Sequence, residues 1–288
     1  MGALCAPPRV VVMIRFREIE HWLREVASLR GKLRELPHPV AWAERVTGQS
    51  LDPWQQLVMC SEAPALLLLT SRQVGKSHVV SLRAAYRAQY LGRRVGVLSP
   101  TLRQSSIVYR RAKSWIHADG GSSITRQTLT ELELDGRGAI VAFPGDRPDL
   151  SVRGDTLDDL IVDEASRVKD ELIAAATPTV ATKPGANITY LSSPAGQRGA
   201  FYRAWTEEDW WEKVTVTADM CRRIDPDFLA RERVRLGEQV FSQEYQARFV
   251  AAPGGLFDPS ALDDIFGATT RPAPLEWLPQ PEQRAREW

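Results

Sequence analysis

The sequence predicts an α/β fold, a mostly parallel sheet with helices on both faces. Three observations predict it. Between residues 65 and 200, short apolar runs alternate with amphipathic stretches, the pattern of strands that cross over through helices. One run, "ALLLL", leads into "TSRQVGKS" and then into the amphipathic "HVVSLRAAYRA". Another, "LIVDEA", passes directly from aliphatic residues to two acids. Runs this short and this continuously apolar suit strands covered on both faces.

Residues 16–36 place Ile19, Trp22, Leu23, Val26, Leu29, Leu33 and Leu36 on one helical face, a packed or partner-docking helix. "LPHPV" breaks it, and two short helices follow, the second from about Pro53. "ALLLLTS" is a strand, "SHVVSLRAAYRAQYLG" a helix closed by Gly92, "RRVGVLSPT" a strand and "LRQSSIVYRRAKSWIHA" a helix. "LTELELDGRGAIVAFPG" alternates on both sides of a glycine-containing turn and reads as a β-hairpin insertion. "LDDLIVDEAS" and "ANITYLSSPAG" are strands around the helix "DELIAAATPTVA". Residues 201–250 read as mainly helical, and the proline-rich stretch after 250 as a tail. The organisation expected is a helical segment over 1–39, a core over 40–200, a helical part over 201–252 and a tail over 253–288.

Bulk properties exclude little. The net charge of +1 leaves any nucleic-acid contact to local patches. The cysteines, Cys5, Cys60 and Cys221, fit no zinc spacing and read as free thiols of a reducing cytosol. The longest aliphatic run, Leu66–Leu69, is far short of the roughly 18 residues of a membrane span. "RVVVMIRF" is too short and too arginine-interrupted for a secretory signal, and a helix begins just after Met13, an alternative start to Met1.

The chemistry sits at two strand ends. A phosphate-binding loop needs a strand leading in, a turn that aims backbone N–H groups at phosphate oxygens, a lysine, a magnesium-binding hydroxyl and a following helix. Here Ser71, Arg72, Gln73, Val74 and Gly75 form the turn, Lys76 is the cation for ATP and Ser77 the Mg2+ hydroxyl. Thr70 stands where the usual pattern has its first glycine. After "LIV", Asp163 is the candidate magnesium ligand and Glu164 the base that polarises the attacking water. Gln55, in "DPWQQ", is the candidate reader of the adenine edge. Ser192 and Ser193, after the next strand, are candidates to sense the γ-phosphate and relay its loss. The fold class is therefore a P-loop NTPase.

"TSRQVGKS", "LIVDEAS" and "YLSSPAG" resemble the ATPase motifs of the large terminase subunit, the DNA-packaging motor of tailed bacteriophages. The resemblance covers about residues 40–265 and includes "PWQQ", "SPTLRQ", "SVRGDTLDDLIVDEA", "GAFYRAW" and "FSQEYQARFV". It implies an additional-strand ATPase, related to helicases, that acts as a homo-oligomeric ring around double-stranded DNA in the cytoplasm of the bacterial host. Portal protein and the small terminase subunit are the implied partners. It makes Arg72 a catalytic phosphate contact and Ser192–Pro194 the coupling segment. Arg126, Arg153 and Arg198 are candidates for an arginine acting on a neighbouring subunit. Arg103, Arg110, Arg111 and Lys113 offer a basic face for DNA phosphates without base readout.

One departure stands out. The family normally continues into a nuclease domain, and Asp258, Asp263 and Asp264 lie in a segment too short to build one. The expectation is ATP hydrolysis without DNA cutting. Two rivals remain: a helicase-like translocase with overlapping motifs, and a non-catalytic remnant or assembly factor that binds nucleotide without turnover.

Overall fold

The computed structural model describes residues 36–120, 124–136, 138–145 and 154–250. Most of the helix expected over 16–36 lies outside these, as do Arg153, the three aspartates after 257 and the proline-rich stretch.

Among the described residues, eight strands form one sheet in the order β3-β4-β5-β2-β6-β7-β1-β8. They span Ala65–Thr70 (β1), Arg94–Ser99 (β2), Ile124–Gln127 (β3), Glu131–Leu134 (β4), Ala139–Pro144 (β5), Asp159–Asp163 (β6), Asn187–Ser192 (β7) and Glu212–Val216 (β8). From β5 to β8 in that order, every neighbouring pair is parallel. The helices are α1 (Pro39–Thr47), α2 (Pro53–Cys60), α3 (Lys76–Leu91), α4 (Leu102–Asp119), α5 (Asp170–Ala176), α6 (Ala200–Thr206) and α7 (Pro226–Tyr245).

Strand β1 shows why the sequence reads as it does. All six of its residues are buried. Leu66 and Leu68 point into one core layer with Trp42, Val58, Val80 and Val108, under α1 to α4. Leu67 and Leu69 point into the other with Leu172 and Phe201, under α5 and α6. A strand with a core on each side has no polar face, so alternation disappears from its sequence.

One expectation is corrected. The hairpin is no insertion. Its second strand, β5, pairs in parallel with β2, and β3 and β4 extend the sheet antiparallel beyond it. Gly138 fixes this placement, because a Cβ there would lie 1.9 Å from the carbonyl oxygen of Ala88 in α3. Residues 201–250 are mainly helical, as expected, and carry one strand the sequence did not announce: β8 adds to the sheet beside β1. "EKVTV" carries the β-branched alternation of a half-covered edge strand, and its residues range from exposed to buried. The sheet thus runs past residue 200.

Strand β7 lies between β1 and β6. This is the strand insertion that the resemblance implied. In register, Leu69 sits opposite Ser192, and Asp163 opposite Leu191. Three parallel strands therefore end level, and their carboxyl ends form one ledge, the usual ligand-binding edge of an open α/β sheet.

Candidate active site

The turn after β1 explains Thr70. Thr70 and Ser71 are fully buried and still belong to the strand end; the Ser71 N–H donates to the Val216 carbonyl at 2.8 Å. The left-handed positions fall later, at Gln73 (φ 63°) and Gly75 (φ 101°). Glycine is therefore required at 75, where a Cβ would also stand 3.2 Å from Gln55 Nε2, and not at 70. Among the described residues, the N–H groups of 73–77 donate to no protein acceptor. They open beside the N-terminus of α3, as an anion cradle requires.

Around that cradle four functional groups converge. Lys76 Nζ lies 2.8 Å from Glu164 Oε1, with both side chains largely buried. The Ser77 hydroxyl donates to Asp163 Oδ2 at 3.4 Å, and the Glu164 N–H donates to Asp163 Oδ1 at 3.0 Å. Asp163 is 4% exposed. Burial and the neighbouring Glu164 charge push its carboxyl up to about 6, against the pull of Lys76, the Glu164 N–H and Ser77. A buried carboxylate crowded by a second one, with a hydroxyl at its side, is an oxygen donor set short of positive charge. It fits Mg2+, which takes hard oxygen ligands and keeps part of its water shell. Glu164 itself is left-handed (φ 54°) and begins the tight turn Ala165–Arg167.

On the other side of the loop lies a cavity of about 150 Å³ lined by Gln49, Ser50, Leu51, Gln55, Gln73, Gly75, His78 and Arg223. Gln55 is buried, its Oε1 accepting the Asp52 N–H at 3.0 Å in a capping box while Nε2 faces Gly75. Arg223 joins the loop to α2: Nη2 donates to the Val74 carbonyl at 3.0 Å, and Nη1 lies 3.0 Å from Asp52 Oδ2. A second cavity of about 610 Å³ opens beside Lys76 and Ser77 against Ile107, Arg111, Ser114 and Trp115 of α4. His78 borders both, and burial, with Arg111 and Arg223 nearby, holds its imidazole below the ordinary histidine value.

Other expected residues distribute unevenly. Arg72 does not turn into the cradle; its Nε pairs with Glu244 Oε2 at 2.6 Å, and its N–H donates to the Glu244 carbonyl at 3.0 Å. Ser192, Ser193 and Pro194 are buried at the end of β7. Ser166 bonds this segment, its hydroxyl meeting Ser192 Oγ at 2.5 Å and donating to the Ser193 carbonyl at 2.8 Å. Arg126 sits on the outermost strand, engaged with Glu131 and Glu133, and Arg198 is exposed in the loop after β7. Arg103 and Arg110 are exposed on α4 and Lys113 is half-buried, whereas Arg111 faces the larger cavity.

Sequence reasoning missed Arg167, Ser166, Arg223 and Glu244. The first two follow Glu164 within three residues, and a turn there would have exposed them. Arg223 and Glu244 reach the loop only through the fold, and no local signal marks them.

The N-terminal family model of the terminase large subunit, T4-like-virus type, matches residues 67–264. No curated protein matches the chain. Among solved structures, the ATPase domain of the Thermus phage P74-26 large terminase is 21% identical, with a TM-score of 0.63, over 72% of this chain and 97% of that one. The large terminase from a second thermophilic bacteriophage is 17% identical, with a TM-score of 0.59, over 74% of this chain and 57% of that one. The HK97 bacteriophage large terminase is 15% identical, with a TM-score of 0.61, over 75% of this chain and 55% of that one. The chain thus spans little more than half of those last two relatives. With a sheet in which β7 separates β1 from β6, and with the loop and acids on one ledge, this chain belongs to the large terminase subunits, the DNA-packaging motor proteins of tailed bacteriophages.

Proposed function

We propose that the chain is a magnesium-dependent ATPase whose turnover drives double-stranded DNA into a procapsid. The observation that carries this is the ion pair of Lys76 with Glu164 beside the under-compensated Asp163, at the ends of β1 and β6 on either side of β7. The large terminase from the second thermophilic bacteriophage, of the same fold, has been solved with ADP and with ATP-gamma-S, which supports a nucleotide as the ligand.

Lys76, the N–H groups of 73–77 and the N-terminus of α3 would hold the phosphates, and Ser77 and Asp163 the magnesium ion. Bound Mg-ATP supplies the transferable phosphoryl group, and its metal offsets the charge that develops on it. Lys76 then turns from Glu164 to the phosphate oxygens. Glu164 Oε1, freed of the lysine, accepts a hydrogen bond from water and aims it in line. Gln55 and Arg223 border the cavity suited to the base. Arg72 reaches the phosphates only by leaving Glu244, so filling the cradle would loosen the contact between the loop and α7.

Ser192–Pro194, hydrogen-bonded through Ser166, form the route from the cradle to the rest of the motor. Arg103 and Arg110 present charge for DNA phosphates. That contact gives no sequence preference and weakens with salt. The working form is a ring in the host cytoplasm, assembled with portal protein and the small terminase subunit, with Arg126, Arg153 or Arg198 completing a neighbour's site.

The test is phosphate release by the purified chain with magnesium and duplex DNA, against Glu164→Gln. Hydrolysis by the parent, stimulated by duplex and absent in the variant, supports the reading. Parent and variant releasing phosphate equally slowly would leave only a nucleotide-binding remnant. Separation of a forked duplex would transfer the chain to the helicase-like translocases.

A further inference from the structure

Glu164 is held at both carboxylate oxygens. Oε1 meets Lys76 Nζ at 2.8 Å, and Oε2 accepts from Arg167 Nη1 at 3.1 Å. The two cations differ in what else they can do. Lys76 stands at the mouth of the phosphate cradle and is drawn away by an anion there. Arg167 does not line the cavities that open onto that cradle. Its Nη1 reaches instead to Ser193 Oγ, at 3.4 Å. The guanidinium therefore spans the glutamate and the segment after β7.

The backbone fixes this arrangement. Glu164 takes the left-handed conformation, and the Arg167 N–H donates to the Glu164 carbonyl at 2.8 Å, closing the turn. Ala165 and Val168 are buried on either side of Arg167 and anchor it. Ser166, inside the turn, is bonded to both Ser192 and Ser193, so the turn and the end of β7 are one hydrogen-bonded unit. A partly exposed ion pair three residues apart adds little to stability, so its geometry has to be explained otherwise.

We propose that Arg167 is the positioning residue of the hydrolytic step: it retains Glu164 when Lys76 moves to the phosphates, and through Ser193 it ties the glutamate's position to the segment after β7. This rests on the hydrolytic reading given above. A carboxylate released by its lysine and held by nothing else would sample rotamers that miss the water. Misplacement by about 1 Å costs on the order of 10²-fold in rate. Arg167 acts on Glu164 and touches neither nucleotide nor water.

The experiment compares steady-state hydrolysis by the parent, Arg167→Ala, Arg167→Lys, Glu164→Gln and the Arg167→Ala/Glu164→Gln double variant, each also titrated with a non-hydrolysable ATP analogue. Arg167→Ala is expected to lower kcat by about 10- to 100-fold, with KM and analogue affinity within about threefold of the parent. Arg167→Lys, which keeps the charge, recovers part of the rate, as does guanidinium ion added to Arg167→Ala. The double variant is no slower than Glu164→Gln alone, because the arginine works through the glutamate. The proposal is overturned if Arg167→Ala turns over like the parent, or if its loss multiplies that of Glu164→Gln. It is also overturned if Arg167→Ala loses analogue binding in step with rate while Arg167→Lys recovers neither, which marks a structural arginine. A parent no faster than Glu164→Gln is a different failure, that of the hydrolytic reading itself.

Discussion

Strand β6 begins with one aspartate and ends with another, and the two ends are built differently. Asp159 and Asp163 are 3% and 4% exposed, so burial does not distinguish them. Their company does. Arg87 Nε donates to Asp159 Oδ2 at 2.9 Å, Arg93 Nη1 lies 3.4 Å from Oδ1, and Arg87 also bonds the Asn187 side chain. Asp163 has a serine hydroxyl, one backbone N–H and a second carboxylate for neighbours, and the nearby lysine is paired to that second carboxylate. The first end is neutralised from within the fold and joins α3 to β6 and β7. The second is left short of positive charge, at the place where a dication and an anion would arrive together. A buried charge that the fold compensates supports structure; one it leaves uncompensated is held for a ligand.

Glu164→Gln removes the base at the reactive end and should slow hydrolysis by about 10²- to 10⁴-fold while nucleotide binding persists; stopped-flow phosphate release checks it. A variant near parental rate would move the base elsewhere.

At the compensated end, Arg87→Met leaves Asp159 buried without its main partner. The expected cost is about 3–5 kcal/mol in chemical denaturation, and adding Asp159→Leu should recover much of it. A loss below about 1 kcal/mol would show that water reaches Asp159.

Asp163→Asn should act with the opposite sign. The folded Asp163 carboxyl is pushed up to about 6 from an ordinary value of 3.8. The protonated form is therefore favoured by the fold, and that advantage, complete below pH 3.8, is lost as pH rises through about 6. At pH 7 in the metal-free protein, asparagine should stabilise by up to about 3 kcal/mol while removing magnesium-dependent hydrolysis. The gain should vanish towards about pH 4. Thermal melts of parent and variant across that range, without metal, read it directly; a variant less stable at neutral pH would mean Asp163 is already neutralised.

The smallest effect concerns the cradle alone. Gly75→Ala puts a Cβ on a left-handed residue 3.2 Å from Gln55 Nε2. About 1–2 kcal/mol of stability should go, together with nucleotide affinity measured by calorimetry. The same change at Gly136, also left-handed but with open space around its Cβ, should cost stability alone.

Much of the fold was legible because it obeys local rules. The runs "ALLLL" and "LIVD" announced strands covered on both faces, and Gly92 ended its helix as expected. Strand β8 was missed because it is a half-covered edge strand beside two helices, where its β-branched alternation is short and surrounded by helix formers. The hairpin was recognised as a hairpin but not as part of the sheet, since pairing of β5 with β2 leaves no local mark.

By itself, the sequence determined the chemistry available to this protein. Loop, lysine, serine and acid pair lie in two unbroken stretches, because a strand that ends in a turn must place its functional residues next to one another in the chain. Tertiary structure alone decided which groups meet. It set β7 between β1 and β6, drew Arg223 from beyond β8 to the Val74 carbonyl, paired Arg72 with Glu244 and hung Glu164 between Lys76 and Arg167. Charge balance at a buried site is a sum over neighbours from many elements. No single stretch of sequence holds that sum, so the deficit at Asp163 becomes visible only once the chain has folded.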